Sequence, residues 1–251
     1  MLTKSQTTNY SFPRAIVFVN GENVRFNSFR VEHSGFSAAD SFEVDLPFFV
    51  TQASGKEKIL ANGPDFATML LRQDSIPVKI LVGYSKNPDN YTESDLTQVI
   101  DGYVDTARWH FDENGESVTI TGRNVVGKMI DTKINDKFPN LTASQIASMY
   151  AGKYELYTSI TPTRTLAGTY YNNTSAVISS SDMSEWDMLL YLAKQEDYIC
   201  RVKGNTLYFG PFGTVTKFLG DAAQYTWGKD IFSLDMERSP HGAKDIKVLI
   251  W

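Results

Sequence analysis

Alternation with a period of two constrains this chain more than any other feature. Phe42, Val44 and Leu46 point one way and Glu43 and Asp45 the other, the pattern of a half-buried strand. Val78, Ile80 and Val82 repeat it. Ile16-Val17-Phe18-Val19 runs into Asn20-Gly21 and then Val24-Arg25-Phe26. Asn-Gly between apolar runs predicts a tight hairpin, because both residues tolerate the positive φ of a type I′ turn. Trp109 and Phe111 lead through Glu113-Asn114-Gly115 to Val118 and Ile120, a second such hairpin. Only one helix interrupts these strands. Pro64 suits a first helical position, and Phe66, Met69 and Leu70 form an apolar stripe behind it. A set of strands this large must close or pack on itself to hide its edges. Residues 14 to 123 therefore read as a small β-barrel or sandwich.

The pattern changes after residue 123. Val125, Val126, Met129 and Ile130 share a helical face between Asn124 and Lys133. Thr142 and Gln145 have the spacing of a capping box, with Leu141 and Ile146 as a hydrophobic staple. Met149 and Tyr150 are expected to continue that buried face. Thr165 to Ser181 carries no charge and is rich in Gly, Asn, Thr and Ser, as in a long loop or a polar binding surface. Asp182 or Ser184 can cap a further helix with Glu185 or Asp187 three residues on, and Trp186, Leu189, Leu190 and Ala193 form its apolar stripe. Gly204-Asn205 sits between two short apolar runs, a third hairpin signal. Phe232, Leu234 and Met236 alternate again, as do Ile246, Val248 and Ile250 before Trp251. Two strands cannot bury an apolar face alone.

The expected architecture is mainly β within an α+β class. A first β-barrel domain covers residues 1–123 and an α+β domain residues 124–215. Residues 216–251 supply the opening strands of a second, incomplete β-barrel. Phe232, Leu234, Ile246, Val248, Ile250 and Trp251 are then candidate subunit-interface positions, since their face needs a partner.

The residues offer little chemistry. The net charge is −5, with no basic run, which argues against non-specific nucleic-acid binding. The 251 residues contain one cysteine, Cys200, so no intrachain disulfide forms, and its apolar neighbours predict a buried thiol. His33, His110 and His241 lie far apart in sequence, and no zinc, phosphate-loop or nucleophile-elbow motif occurs. Gly122-Arg123-Asn124, between a strand and a helix, fits a sharp turn better than an anion site. Asp101 and Asp105 share a strand face, but four residues span ~13 Å, beyond glycosidase carboxylate spacing. No enzyme activity, metal or cofactor is expected. Met1 to Pro13 is polar, with no signal-peptide core, and no apolar stretch is long enough for a membrane helix. The expectation is a chain made in the cytosol with no membrane insertion.

The order of several short motifs carries a resemblance. Asp101-Gly102-Tyr103-Val104-Asp105 precedes a hairpin; Val118-Thr119-Ile120-Thr121-Gly122-Arg123-Asn124 follows; then come Met129-Ile130-Asp131. This resembles the first barrel of phage tail baseplate hub proteins, the family of the T4, Mu and P2 hubs and of the hub part of type VI secretion spikes. Asn124 stands where that family more often has Asp. The motif positions Asp101, Gly102, Asp105, Gly122, Arg123, Asn124 and Asp131 are then structural. Ser184 to Phe209 is similar to the family's helix-plus-hairpin, and Ile231 to Trp251 to the opening of its second barrel.

The resemblance implies a homotrimeric ring that adapts a central spike to a tail tube and lines a channel through which DNA passes. Its partners would be further copies of itself, the spike, and tube or baseplate proteins, and its location the baseplate of a virion tail. Two other readings remain: a carbohydrate- or receptor-binding tail-tip module, and a cell-wall hydrolase, which no residue set supports.

Overall fold

The computed structural model describes residues 12–35, 37–51, 58–85, 89–112, 115–134, 138, 140–164, 166–167 and 183–219. The first part of the chain lays down β1 (Phe12–Val19), β2 (Glu22–Asn23), β3 (Ser28–Glu32), β4 (Ser41–Pro47), β5 (Phe49–Thr51), β6 (Lys58–Leu60), α1 (Pro64–Arg72), β7 (Pro77–Ser85), β8 (Thr97–Asp112) and β9 (Gly115–Asn124). Seven of these strands form one curled sheet in the order β2-β1-β7-β8-β9-β4-β3, while β5 and β6 pair separately. The fold is mainly β with several helices.

The curl follows from where the apolar residues fall. Phe42, Val44 and Leu46 on β4 are buried, as are Val17 and Val19 on β1, Val78 and Ile80 on β7, and Val118 and Ile120 on β9. They meet Leu70 of α1 in one core. At about 1.5–3 kcal/mol per buried large apolar side chain, this concave face is what drives the strands to wrap. The ends of the sheet order, β2 and β3, are consecutive in sequence. Val24 N–H donates to Val17 O at 2.9 Å and Asn27 N–H to Asp45 O at 2.8 Å, so residues 24–27 carry the chain from one sheet edge to the other. The curl is completed there by the covalent chain, with no β2–β3 ladder.

The first hairpin turns at Asn20 (φ 53°) and Gly21 (φ 82°), as the Asn-Gly pair predicts. Only Glu22 and Asn23 then pair back onto β1, whose main partner is β7. Of the second hairpin, β8 and β9 pair as far as Asp112 and Gly115; its tip, Glu113 and Asn114, lies outside the described residues.

Beyond β9 come α2 (Val125–Asp131), α3 (Ala143–Lys153), β10 (Tyr157–Ile160), α4 (Glu185–Gln195), β11 (Tyr198–Lys203), β12 (Thr206–Pro211) and α5 (Phe212–Leu219). The helices pack on a three-stranded sheet ordered β10-β12-β11, and a second core gathers Met129, Phe138, Ile146, Tyr150, Trp186, Leu189, Leu207 and Phe209. The capping box of α3 forms between Thr142 and Gln145 as predicted. The α4 cap is Ser184, whose partner is Asp187. Tyr150 is fully buried but Met149 is exposed, against the expectation that both continue the buried face. Adjacent helical positions differ by about 100°, and the turn favours Tyr150. The third hairpin turns at Gly204 (φ 55°) and Asn205.

Helix α5 crosses the boundary placed between residues 215 and 216. Residues 220–251, with Phe232, Leu234, His241, Ile246, Val248, Ile250 and Trp251, lie outside the described residues, as does most of the uncharged 165–181 stretch.

Candidate functional site

The motif residues converge where β8, β9 and α2 meet. Strand β8 carries one residue too many at this point. Val104 pairs with Gly122 but Thr106 pairs with Thr121, which leaves Asp105 as a bulge. Val104 and Ala107, three apart instead of two, both pack on the barrel core, so the bulge shifts the inward parity of β8. Asp105 is thereby aimed outward at Arg123 of β9.

Arg123 grips two carboxylates at once. Its Nε donates to Asp105 Oδ2 at 2.6 Å and its Nη2 to Asp105 Oδ1 at 3.1 Å. Nη2 also donates to Asp131 Oδ2 at 2.6 Å, and Nη1 to Asp131 Oδ1 at 3.4 Å. The hydrogen bonds that Arg123 donates to Asp105, then those to Asp131, push the guanidinium even further above its ordinary pKa. Asp131 is the last residue of α2, so one side chain ties the barrel hairpin to the far end of that helix.

The glycines of the motif make this approach possible. A Cβ on Gly122 would lie 2.0 Å from the Tyr103 carbonyl oxygen and 2.5 Å from the Phe42 ring. One on Gly102 would lie 2.4 Å from the Arg123 carbonyl oxygen. Asn124 caps α2: its Oδ1 accepts from Val126 N–H at 3.2 Å. The N-terminus of this seven-residue helix is thus occupied by its own cap, in agreement with a turn and not an anion site.

Asp101 stands apart from this cluster. It pairs across the sheet with Lys79, on the wall of a cavity of ≈ 300 Å³ shared with His33, Asp40, Asn124, Arg201 and Lys203. Asp101 is exposed overall, but desolvation on its cavity side holds its carboxyl above the ordinary range, against the pull of Lys79. His33 Nδ1 lies 3.2 Å from Asp40 Oδ2, and His110 is exposed on β8. Cys200 is buried, and burial pushes its thiol up, which keeps it protonated and unreactive.

Three further connections join the barrel to the helical unit, and the motif reading did not foresee any of them. The indole Nε1 of Trp186 on α4 donates to Ser37 O at 3.0 Å, in the loop between β3 and β4. Asn124 N–H donates to Asp40 O at 2.9 Å in the same loop. Lys128 of α2 lies 3.0 Å from the centre of the Tyr103 ring on β8 and donates to Ser75 Oγ at 3.1 Å. Inside the helical unit, Glu185 is 1% exposed. It accepts from Lys153 Nζ at 2.5 Å and from Tyr154 Oη at 2.6 Å. The sequence offers Glu185 only as a residue near a helix cap; its burial depends on where α3 ends.

Among the described residues no group of three or more His, Cys, Asp or Glu side chains is placed to hold a metal ion, and no helix is long and apolar enough to cross a membrane. The arrangement at Arg123 positions backbone: the guanidinium is engaged by Asp105 and Asp131, and the Asn124 side-chain oxygen by the α2 cap.

No protein-family model matches the chain, and no curated protein sequence matches it. Solved structures do. A tail protein from Neisseria meningitidis MC58 superposes with a TM-score of 0.53 at 14% identity, over 79% of this chain and 50% of that one. The 43 kDa tail protein of prophage MuSo2 from Shewanella oneidensis superposes with a TM-score of 0.50 at 14% identity, over 79% of this chain and 53% of that one. The chain therefore shares its fold with both and spans about half the length of each.

Proposed function

We propose that this chain is a structural component of a phage tail, and more specifically a baseplate hub protein that works as a homotrimeric ring. The fold shared with two phage tail proteins over 79% of the chain carries the tail reading. The finer reading rests on the motif order from Asp101 to Asp131, whose residues meet in one clamp between barrel and helical unit. A ring subunit must hold its parts at a fixed angle, and bonds from Arg123, Trp186 and Lys128 each cross that junction. The function is then geometric. Copies of the barrel surround a channel, adapt a central spike to the tail tube, and let DNA pass without specific binding. An acidic balance suits such a wall, because it does not retain a polyanion. The chain carries out no catalysis and needs no cofactor in this role.

Negative-stain imaging of the purified protein tests the proposal. Threefold rings with a central opening are expected. Uniform single particles without an opening, or clearing of peptidoglycan in a zymogram, would overturn it.

A further inference from the structure

Helix α1 lies against the barrel without filling the space beneath it. Its apolar stripe is Phe66, Met69 and Leu70, yet only Leu70 is buried. Phe66 and Met69 stay half-buried. A cavity of ≈ 540 Å³ lies between the helix and the β1–β2 hairpin, with Phe66 and Met69 on one wall and Val19 and Val24 on the other. Helix α4 shows the contrast: six of its eleven residues are buried, against one of nine in α1. Packing of an apolar face supplies most of a helix's stability in a protein, so α1 is held far more weakly than α4.

Two amide side chains fasten the ends of α1. Asn62 Oδ1 accepts from Arg25 N–H at 2.7 Å, and Asn62 Nδ2 donates to Arg25 O at 3.2 Å. At the other end Gln73 Nε2 donates to Asn20 Oδ1 at 3.4 Å and to Ser75 O at 3.3 Å. All four bonds are exposed, so water replaces them at little net cost. Beyond them the chain is fixed to the sheet again. Ala61 N–H donates to Phe48 O at 2.9 Å, and Val104 N–H to Ile76 O at 2.9 Å. Between these anchors, residues 62–75 carry one buried side chain, Leu70. Gly63 opens the helix at φ 86° with no side-chain cap bond, and the exposed residues 73–75 follow its end. Residues at the ends of an element are where a hinge takes up its change in φ and ψ.

We infer that residues 62–75 form a strap that lifts from the barrel as one unit while the sheet stays folded. In the closed form Leu70 seats in the barrel core beside Val19 and Val24. In the open form that seat joins the cavity and the barrel interior becomes accessible there. The strap belongs to each copy of the chain and does not depend on the proposed ring.

Native-state hydrogen exchange on the full chain, followed residue by residue at increasing urea below the unfolding transition, tests the strap. The hydrogen-bonded amides 68–73 of α1 are expected to share one opening free energy. They should exchange about tenfold or more faster than those of Val78, Ile80 and Ile120, with a shallower dependence on urea. Asn62→Ala should speed amides 68–73 severalfold and leave the three strand amides unchanged. Exchange of α1 at the rate and urea dependence of the strands overturns the inference. So does a graded series that is fastest at one end of α1, which is fraying and not lifting, or an Asn62→Ala effect spread evenly over the sheet.

Discussion

Arg123 on β9 holds Asp105 on β8 through two parallel hydrogen bonds, at 2.6 Å and 3.1 Å, and reaches on to Asp131 of α2 with the same guanidinium. Arg123 is 29% exposed at its side chain and Asp131 61%, so the outer pair is screened by water and the inner one contributes more. Arg123→Met should cost about 1–2 kcal/mol, the range for a partly buried charge-assisted pair. Arg123→Lys should recover less than half of that, because an ammonium cannot present two parallel donors to one carboxylate. Chemical denaturation reads both values. Equal stability of the two variants and the parent would contradict the clamp.

Gly122 and Gly102 are placed by close approach. Their absent side chains leave room for the Tyr103 and Arg123 carbonyl oxygens, 2.0 Å and 2.4 Å from where a Cβ would sit. Backbone cannot yield as a flexible side chain does, so Gly122→Ala should cost about 3 kcal/mol or more, or prevent soluble expression. Gly152→Ala is the control: a Cβ there meets nothing within 4 Å, and the helix gains propensity. A Gly122→Ala melting temperature within a degree of the parent's would sink this account of the motif.

Trp186 fastens the helical unit to the loop between β3 and β4. Trp186→Phe keeps most of the buried ring and removes only the donor to Ser37 O. The expected cost is about 1 kcal/mol. Hydrogen exchange should rise at residues 37–40 and on α4, and remain unchanged on β7, far from the contact. Exchange that rises uniformly would indicate general destabilisation instead of a released junction.

Asp101 predicts a pH dependence of definite sign. Its folded-state pKa lies above the ordinary 3.8 because desolvation on its cavity side penalises the charged form. The folded state thus binds this proton more tightly than the unfolded one, an advantage present at low pH and lost as the pH rises through the folded pKa. Asp101→Asn should therefore raise the melting temperature slightly at pH 7, with the gain closing below about pH 4. Lys79, opposite on β7, limits its size. A variant less stable than the parent at pH 7 would show that the Lys79 attraction outweighs desolvation.

Elements governed by near neighbours were legible in the sequence. The alternation of Phe42, Val44 and Leu46, the Asn20-Gly21 turn and the Thr142–Gln145 box each depend on residues a few positions apart. The strand-to-helix turn at Asn124 was legible for the same reason. The bulge at Asp105 was not, because it appears only when β8 is set against β9. The Arg123 clamp needed that bulge and the length of α2 together. Trp186 was recognisable as a core residue, but its bond to Ser37 spans 149 positions that no local pattern encodes. Glu185 was the least visible. An acidic residue at a helix start usually faces water, and only the ends of α3 and α2 bring Lys153, Tyr154 and Thr132 around it.

The central claim is assembly, and the mass of the protein in solution tests it most directly. Light scattering on the purified 251-residue chain should give three times the 28.2 kDa of one copy, unchanged on dilution over a tenfold range. A single species of 28.2 kDa at every concentration would contradict the account.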